Sequence, residues 1–366
     1  SDDLAVEKYV LYVNDTQYSG DGLKMAASAP EKTDSNETSG GGKNTESAAT
    51  EKKNNTNVPG EIPFETHGKL SVKGTDIVDM NGDKYQLKGV STHGITWFPD
   101  YVNKEAFETL RDDWGANLIR LAMYTDTGDS YGYCSGGDKD EILALVDKGV
   151  SAATELGMYV IVDWHILSDS DPNNHIDDAK EFFDKVSKKY AAQENVIYEI
   201  CNEPNGGTQW SSVKSYAETI IPVIRANDKD ALIIVGTPNW SQDVDIASQD
   251  PITDYDNIMY AVHFYAATHK DDLRNKVKTA LDNGLPVFVS EFSLCDASGN
   301  GGIDYDSSDE WFKLINENNL SYSSWSLCNK NETSALIKSD STATGSLSDG
   351  DLSDTGKYVR DRIMGK

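Results

Sequence analysis

The sequence has few cysteines, few basic residues relative to acidic ones, and no long apolar run. It contains four cysteines in 366 residues, and its 33 Lys and Arg face 61 Asp and Glu, which gives a net charge of −28. Four cysteines are too few for a disulfide scaffold. No apolar run approaches the roughly 18 residues of a transmembrane helix. The negative charge repels phosphate backbones and anionic lipids, so we expect neither a nucleic acid nor a membrane as partner.

The cysteines also lack the spacing of a metal site. Cys134, Cys201, Cys295 and Cys328 form no CxxC pair, and we interpret them as small buried core thiols. The alternative is one disulfide late in the chain, between Cys295 and Cys328.

Residues 28–57 contain no Val, Ile, Leu, Met, Phe, Trp, Tyr or Cys. Such a segment cannot bury enough apolar surface to offset its ordering entropy, so residues 28–60 are predicted to be a flexible linker within a disordered N-terminal extension. Residues 1–27 form a short segment of unknown role. One strand is predicted at residues 9–13, followed by turn residues, as the remnant of an upstream domain or a strand docked on a neighbour. The first residues lack the basic and apolar parts of a signal peptide, so we expect that any such peptide has been removed.

From about residue 58 the composition changes and a repeating pattern begins. Residues 70–72 and 77–78 suggest a small hairpin. After it, eight short apolar runs alternate with amphipathic segments of helical length. The runs cover residues 86–90, 117–123, 158–164, 196–201, 231–236, 258–263, 286–290 and 321–327. Eight strands separated by helices predict an α/β fold, a (β/α)8 TIM barrel over residues 61–366.

The alternative fold is a doubly wound open sheet. It usually carries a glycine-rich phosphate loop after an early strand. The sequence contains neither GxGxxG nor GxxxxGK[ST], so the barrel is favoured.

Polar and aromatic residues stand at the predicted strand ends, where a barrel places its active site. Each one alone has a structural explanation, as a cap, a solvated carboxylate or a packed ring. Arg120 is different, because a guanidinium within an apolar strand needs an acidic partner. Together these residues indicate an active site: His93, Trp97, Arg120, His165, Asn202, Glu203, Trp240, His263, Tyr265, Glu291 and Trp325.

Two carboxylates, Glu203 and Glu291, follow strands that face each other across the barrel mouth. Converging carboxylates repel, so the pKa of one must rise. One group can then act as a general acid while the other stays ionised, which is the arrangement that cleaves glycosidic bonds. Asn202 is a suitable donor to a sugar hydroxyl, and Tyr265 could hydrogen-bond the ionised carboxylate. The tryptophans provide flat faces for pyranose rings.

Two other classes of barrel remain as alternatives. A metal-dependent hydrolase would need clustered ligands, but His93, His165 and His263 come from three strands without an HxH or HExxH pair. We therefore expect no metal and no cofactor in the chemistry. A catalytically dead carbohydrate-binding barrel would be expected to have lost a glutamate, and both are present.

At these residues the sequence resembles glycoside hydrolase family 5, also called cellulase family A. The stretch Ile200-Cys201-Asn202-Glu203-Pro204-Asn205 is similar to the family's NEP signature, and Val289-Ser290-Glu291-Phe292 to its nucleophile strand. The bacterial endo-β-1,4-glucanase branch is the most similar, over about residues 66–364. One departure is Phe292, where relatives commonly carry Trp, and it concerns only local packing.

The resemblance implies a function and a set of site residues. Glu203 would be the acid/base and Glu291 the nucleophile of a retaining endo-glucanase that cleaves β-1,4 bonds in cellulose or related β-glucans. A β-mannanase or a mixed-linkage β-glucanase is the alternative. The further positions matched are His93, Trp97, Arg120, His165, Asn202, Trp240, His263, Tyr265, Trp325, Lys330 and Glu332. The resemblance also implies a secreted monomer that acts on a polysaccharide, with room for further modules upstream of the linker.

Overall fold

The computed structural model describes residues 59–366 in full and, before them, only the backbone of two strands. Strands β1 (Val6–Val13) and β2 (Thr16–Leu23) pair in antiparallel fashion. The expectation of a single strand here was wrong: pairing with β1 outweighs the poor strand propensity of the Gly- and Asp-containing segment in β2. Residues 1–52 and 53–366 form separate units. The predicted linker, up to residue 58, lies outside the described residues.

The main unit is a closed barrel of eight parallel strands with helices between them, which confirms the predicted fold. Its strands neighbour one another in the order β10-β11-β12-β5-β6-β7-β8-β9, closing back on β10. The strands are β5 (Lys88–Thr92), β6 (Leu118–Tyr124), β7 (Tyr159–His165), β8 (Val196–Glu199), β9 (Leu232–Val235), β10 (Ile258–Tyr265), β11 (Val287–Ser293) and β12 (Tyr322–Leu327). The bounds differ most from the sequence prediction in β5, predicted at residues 86–90, and in β11, predicted at residues 286–290.

The longer helices lie in the amphipathic segments between the predicted strands, whereas the short helices at Pro63–His67 and Pro238–Ser241 were not predicted. They are α1 (Pro63–His67), α2 (Lys104–Asp112), α3 (Lys139–Glu155), α4 (Ile176–Tyr190), α5 (Trp210–Arg225), the single turns α6 (Pro238–Ser241) and α7 (Val244–Ala247), then α8 (Asp271–Asp282), α9 (Tyr305–Glu317) and α10 (Asp354–Ile363). Short 3₁₀ helices cover Pro99–Tyr101 and Pro172–His175. Asn103 caps α2 and Asp138 caps α3, where their side-chain oxygens accept backbone N–H groups of the first turn.

Alternation along each strand divides the core into two parts. Ile119 and Leu121 of β6 point outward and pack under the helices, whereas Leu118 packs inside the barrel. Because successive side chains point to opposite faces, Arg120 points inward like Leu118. The inward positions are therefore apolar at the start of a strand and become polar towards its carboxyl end.

A hairpin closes the amino-terminal end of the barrel. Strands β3 (Ser71–Lys73) and β4 (Asp76–Val78) pair in antiparallel fashion, as predicted. Leu70, Ile77 and Tyr85 belong to the same buried cluster as the residues inside the barrel. The open end is therefore the opposite one, where the predicted site residues lie.

All four cysteines lie in the described part of the chain and are free thiols. The alternative disulfide between Cys295 and Cys328 is thus not formed. Cys201, Cys295 and Cys328 are buried, as expected of core thiols, whereas Cys134 is half-buried. Among the described helices none is long and apolar enough to cross a membrane.

Candidate active site

A cleft with a volume of about 1130 Å³ opens at the carboxyl ends of the barrel strands. Pockets for small molecules are typically about 300–1000 Å³, so this cleft is large enough for several sugar rings. The predicted site residues on its wall are His93, Trp97, His165, Glu203, Trp240, His263, Tyr265, Glu291, Trp325, Lys330 and Glu332. The other two, Arg120 and Asn202, are buried and do not line the cleft.

The two glutamates come together on the floor of the cleft. Glu203 follows β8, and Glu291 belongs to β11. One oxygen of each carboxylate and a ring nitrogen of His263 all lie within 4.8 Å of one another. These atoms are close enough to share a metal ion, although His263 Nδ1 already lies 2.9 Å from Glu203 Oε1.

Glu291 is surrounded by groups that favour its ionised form. Arg120 Nη1 lies 3.1 Å from Glu291 Oε2, and the Tyr265 hydroxyl donates to Glu291 Oε1 at 2.8 Å. Burial alone would raise the pKa of Glu291, but the positive charges of His263 and Arg120 and the Tyr265 hydrogen bond hold it below its usual value. Glu291 is thus favoured as an anion on the floor of the cleft.

Glu203 has the opposite tendency. Burial raises its pKa, and the nearby charge of Glu291 raises it further, against the lowering effect of the hydrogen bond with His263. The environments of the two carboxyl groups therefore push their pKa values apart. Such a split suits one group as a proton donor and the other as a nucleophile.

His263 connects Glu203 to a third carboxylate, Glu199. Its Nε2 donates to Ser290 Oγ at 2.9 Å, and Ser290 Oγ donates to Glu199 Oε1 at 2.7 Å. Burial would lower the pKa of His263, but Glu199 and Glu203 raise it to about 9. The imidazole is consequently charged at neutral pH, with both ring nitrogens donating.

Arg120 lies below the floor of the site and contacts several of its polar side chains. Its guanidinium contacts Glu199 Oε2 at 2.7 Å, Asp163 Oδ2 at 3.0 Å and Asn202 Oδ1 at 2.6 Å, in addition to Glu291. Burial would raise the pKa of Glu199, but the Arg120 charge lowers it to about 2. The acidic partner that Arg120 required is therefore a set of three carboxylates.

Asp163 and Glu199 were missed as site residues. Both could have been found from the inward alternation of their strands, since Ile161 and Ile197, two residues earlier, pack inside the barrel.

His165 is neutral, and a protein group contacts each of its two ring nitrogens. Burial and the Arg120 charge lower its pKa to about 3. Asn202 Oδ1 accepts from Arg120, so Asn202 Nδ2 donates to His165 Nε2 at 3.3 Å. The ring proton therefore lies on Nδ1, which donates to Asp163 Oδ2 at 2.6 Å. Asn202 Nδ2 also donates to the Ile166 carbonyl at 3.0 Å. In this structure the Asn202 amide thus faces protein partners, and a sugar hydroxyl would have to compete with them.

Aromatic rings form one wall of the cleft. Trp325 stacks on His165 with ring centroids 5.3 Å apart, and Trp97 lies nearby. Tyr124, which sequence reasoning missed, contacts both His165 at 4.1 Å and Trp97 at 4.7 Å. Tyr124 is the last residue of β6, and this position at a strand end could have identified it as a site residue.

Trp240 is the most exposed aromatic side chain on the cleft wall, with 45% of its surface open to solvent. Asn239, Trp240 and Ser241 all have positive φ angles, of 58°, 57° and 54°. Such residues cost roughly 1–2 kcal/mol each and tend to cluster at functional sites. The Ser241 hydroxyl donates to the Asn202 carbonyl at 2.6 Å. This hydrogen bond links the strained turn to the segment that carries Glu203.

Lys330 and Glu332 form an ion pair on the wall of the cleft, with Lys330 Nζ 2.7 Å from Glu332 Oε2. Burial and the Lys330 charge lower the pKa of His93 to about 3. The Gly94 N–H donates to His93 Nδ1 at 2.7 Å, and His93 Nε2 lies 3.3 Å from Lys330 Nζ. The three side chains offer donors and acceptors suited to sugar hydroxyls.

The chain is similar to known proteins in sequence and in fold. The model of the family described as Cellulase (glycosyl hydrolase family 5) matches residues 78–331. An endoglucanase of Clostridium saccharobutylicum is 48% identical over 299 residues, which are 81% of this chain and 65% of that protein. Endoglucanase A of Butyrivibrio fibrisolvens is 46% identical over 321 residues, which are 87% of this chain and 74% of that protein.

One solved structure is similar to the chain in both sequence and fold. The catalytic domain of the Thermobifida fusca endoglucanase Cel5A is 38% identical, with a TM-score of 0.77 over 82% of this chain and 99% of that chain. A variant of that domain has been solved in complex with cellotetraose. The chain described here spans slightly less than two thirds of the first curated relative, 65% of its length.

Proposed function

The chain belongs to glycosyl hydrolase family 5, the cellulase family, and on that premise we propose that it is an endo-acting β-1,4-glucanase. Its substrates are cellulose or related β-glucans, and residues 61–366 are the catalytic domain. The observation that carries the proposal is the pair Glu203 and Glu291, each with one carboxylate oxygen within 4.8 Å of the other on the floor of the cleft. Relatives at 46% and 48% identity that are named endoglucanases support the substrate class.

The mechanism we propose is a double displacement with retention of configuration. Glu291 attacks the anomeric carbon while Glu203 gives its proton to the leaving glycosidic oxygen, so one C–O bond forms as another breaks. Glu203, now ionised, then takes a proton from water, which attacks the anomeric carbon and releases Glu291. Retaining enzymes hold their carboxyl groups about 5–5.5 Å apart and inverting ones about 6.5–9.5 Å. The short separation seen here supports retention.

The surrounding residues have supporting roles in this mechanism. Arg120 and Tyr265 keep Glu291 ionised, and charged His263 orients Glu203. The rings of Trp97, Trp240 and Trp325 offer stacking faces for pyranoses.

His93, Lys330 and Glu332 offer hydrogen bonds to hydroxyl groups from the cleft wall. His165 and Asn202 are positioning residues beside the glutamates, through their contacts with Asp163 and Arg120. No step of the mechanism requires a metal or a cofactor.

Two measurements test the proposal. Hydrolysis of carboxymethylcellulose, mannan and lichenan should be fastest on the β-1,4-glucan, with a rapid loss of viscosity that shows internal cleavage. Proton NMR should show the β-anomer as the first product. An α-anomer formed first would overturn retention, and a clear preference for mannan would overturn the glucanase assignment.

A β-mannanase or a mixed-linkage β-glucanase remains the alternative. Mannose differs from glucose in the orientation of one hydroxyl, which the barrel and the glutamate pair do not distinguish. The same substrate panel decides between them.

We propose that the protein acts outside the cell as a monomer. Cellulose is an insoluble polymer too large to be taken up, so its first cleavage occurs where the polymer lies. Size-exclusion chromatography with light scattering tests the monomeric state, and a dimer would contradict it.

A further inference from the structure

A second cluster of chemically reactive side chains lies beside the cleft. Cys134, His175 and Asp178 each offer one ligand atom, and these atoms all lie within 4.8 Å of one another. All three residues are half-buried, so the cluster is reachable from solvent. None of them belongs to the proposed catalytic machinery.

Backbone contacts fix the positions of these side chains. The N–H groups of Tyr133 and Cys134 donate to the carbonyls of Tyr124 and Thr125, at 3.0 and 2.7 Å, which folds the loop after β6 back on itself. His175 ends a 3₁₀ helix, and Asp178 lies in the first turn of α4. Two separate parts of the fold therefore present their donors to one point.

The donor set is typical of a transition-metal site. A thiolate, an imidazole nitrogen and a carboxylate oxygen are the three ligand types that zinc takes in proteins. His175 Nδ1 lies 3.9 Å from Asp178 Oδ2. A tetrahedral ion needs its ligand atoms roughly 3.3–3.7 Å apart, given metal–ligand distances of about 2.0–2.3 Å, so small side-chain movements suffice.

The other side of the imidazole carries a second, independent feature. His175 Nε2 faces Asp126 Oδ2 at 3.5 Å. A metal-binding histidine almost always gives its remaining ring N–H to a carboxylate, a carbonyl or water, which fixes the tautomer. Lys139 Nζ binds Asp178 Oδ1 at 2.6 Å and leaves Oδ2 on the side of the imidazole.

We propose that Cys134, His175 and Asp178 bind one zinc ion, with Asp126 orienting His175 and solvent completing the coordination. The charges suit a divalent cation, because Asp178, Asp169 and Asp126 face only Lys139 around Cys134. Burial and these carboxylates raise the pKa of the Cys134 thiol to about 12, so zinc must displace its proton. Zinc binding displaces the thiol proton, so the affinity for zinc should increase with pH.

The ion would link the loop after β6 to the start of α4. Asp126 and Thr127 of that loop line the cleft. Zinc would therefore stabilise the cleft wall without taking part in the reaction.

The first test uses the full chain after metal removal. A thiol reagent should label Cys134 before the other three cysteines, because Cys134 is half-buried and they are buried. One equivalent of zinc should slow that labelling at least tenfold and raise the unfolding temperature. Unchanged labelling and unfolding temperature in the presence of zinc would overturn the proposal.

Variants then assign the ligands. Cys134→Ser and His175→Gln should each lose the zinc-dependent rise in unfolding temperature. Asp126→Asn should weaken zinc binding by about 10–100-fold in calorimetric titration, as is usual when a supporting carboxylate is removed. Zinc affinity that survives in both ligand variants would place the ion elsewhere.

His67→Gln is the matched control. His67 also lies between two carboxylates, Asp79 at 3.0 Å and Glu61 at 3.6 Å, so it reproduces the setting of the imidazole without the thiolate. This variant should bind zinc as the parent chain does. An equal loss of affinity would show that zinc binds histidine–carboxylate pairs without selection.

The catalytic carboxylates are the competing site, because Glu203, His263 and Glu291 also bring ligand atoms within 4.8 Å. Cobalt distinguishes the two sites, since only a thiolate ligand gives a sulfur-to-cobalt charge-transfer band in the near ultraviolet. The band should persist in Glu291→Gln and vanish in Cys134→Ser. Cobalt binding without such a band in the parent chain would overturn the proposal.

Discussion

At the scale of single residues, the division of labour between Glu203 and Glu291 can be tested by removing each in turn. Glu291→Gln keeps the size of the side chain but removes the nucleophile, so kcat should fall by at least about 10⁴-fold. Glu203→Ala removes the general acid, a contribution of roughly 10²–10⁴-fold. This loss should be large on cellooligosaccharides and small on aryl glycosides with good leaving groups.

The control for both variants is Glu317→Gln. Glu317 is exposed in the last turn of α9, so the rate should not change. Circular dichroism should show all three variants folded. Equal losses of Glu203→Ala on both substrate types would contradict a role in leaving-group protonation.

Tyr265 tests how the charge of Glu291 is maintained. Glu291 must be ionised and Glu203 protonated, so the activity should follow a bell-shaped pH profile whose acid limb reports Glu291. Tyr265→Phe removes a hydrogen bond to the ionised form and so raises the pKa of Glu291. The acid limb of kcat should move to higher pH by about one unit, since such a bond contributes roughly 1.5 kcal/mol.

Tyr216→Phe serves as the matched control for this variant. Tyr216 is also buried and donates its hydroxyl, but to the Ile200 carbonyl at 2.8 Å, so the acid limb should stay in place. An acid limb of Tyr265→Phe that is unmoved, or that moves to lower pH, would refute the electrostatic role of Tyr265.

At the scale of elements, the approach of β9 to the segment after β8 positions Glu203. A Cβ added at Gly236 would lie 2.2 Å from the Cys201 carbonyl oxygen and 3.0 Å from that of Asn202. Gly236→Ala should therefore push this segment away, lower kcat/KM at least tenfold and cost about 1–3 kcal/mol of stability. Urea unfolding and kinetics measure both effects.

Gly302→Ala is the comparison, because an added Cβ there meets nothing within 4 Å. It should leave both the rate and the stability unchanged. If Gly236→Ala behaves in the same way, β9 does not constrain the position of Glu203.

The elements themselves were largely predictable from the sequence, because each strand and helix carries its own hydrophobic period. The contacts within the site were less so. Alternation along β8 predicts that Glu199 points inward, but its contact with Arg120 at 2.7 Å is visible only in the structure. The cluster of Cys134, His175 and Asp178 joins the loop after β6, which has no periodic pattern, to the start of α4. Side chains brought together by loops therefore needed the structure.

At the scale of the whole molecule, the chemistry should not depend on a bound metal. Glu203 and Glu291 together supply proton transfer and nucleophilic attack, so dialysis against a strong chelator should leave kcat unchanged at temperatures well below unfolding. The unfolding temperature should fall if zinc was bound beside the cleft. A large loss of kcat that zinc restores would instead favour the metal-hydrolase alternative.

The barrel should also work without the residues that precede it. Residues 28–57 contain no large apolar side chain, so removing them takes little burial away from the rest of the chain. The amino-terminal end of the barrel is closed by Leu70, Ile77 and Tyr85, all of which a chain beginning at Val58 retains. That shortened chain should unfold cooperatively at the same urea concentration as the full chain, and it should hydrolyse carboxymethylcellulose with the same kcat.

Ile77→Ala in the full chain is the control, because it disrupts the packing that closes the amino-terminal end of the barrel. Ile77 is 2% exposed, so its truncation leaves a cavity and should cost about 2–4 kcal/mol of stability. The urea midpoint of that variant should therefore fall, whereas the midpoint of the chain beginning at Val58 should not. A midpoint of the shortened chain as low as that of Ile77→Ala, or a loss of its cooperative unfolding, would show that the preceding residues are part of the barrel.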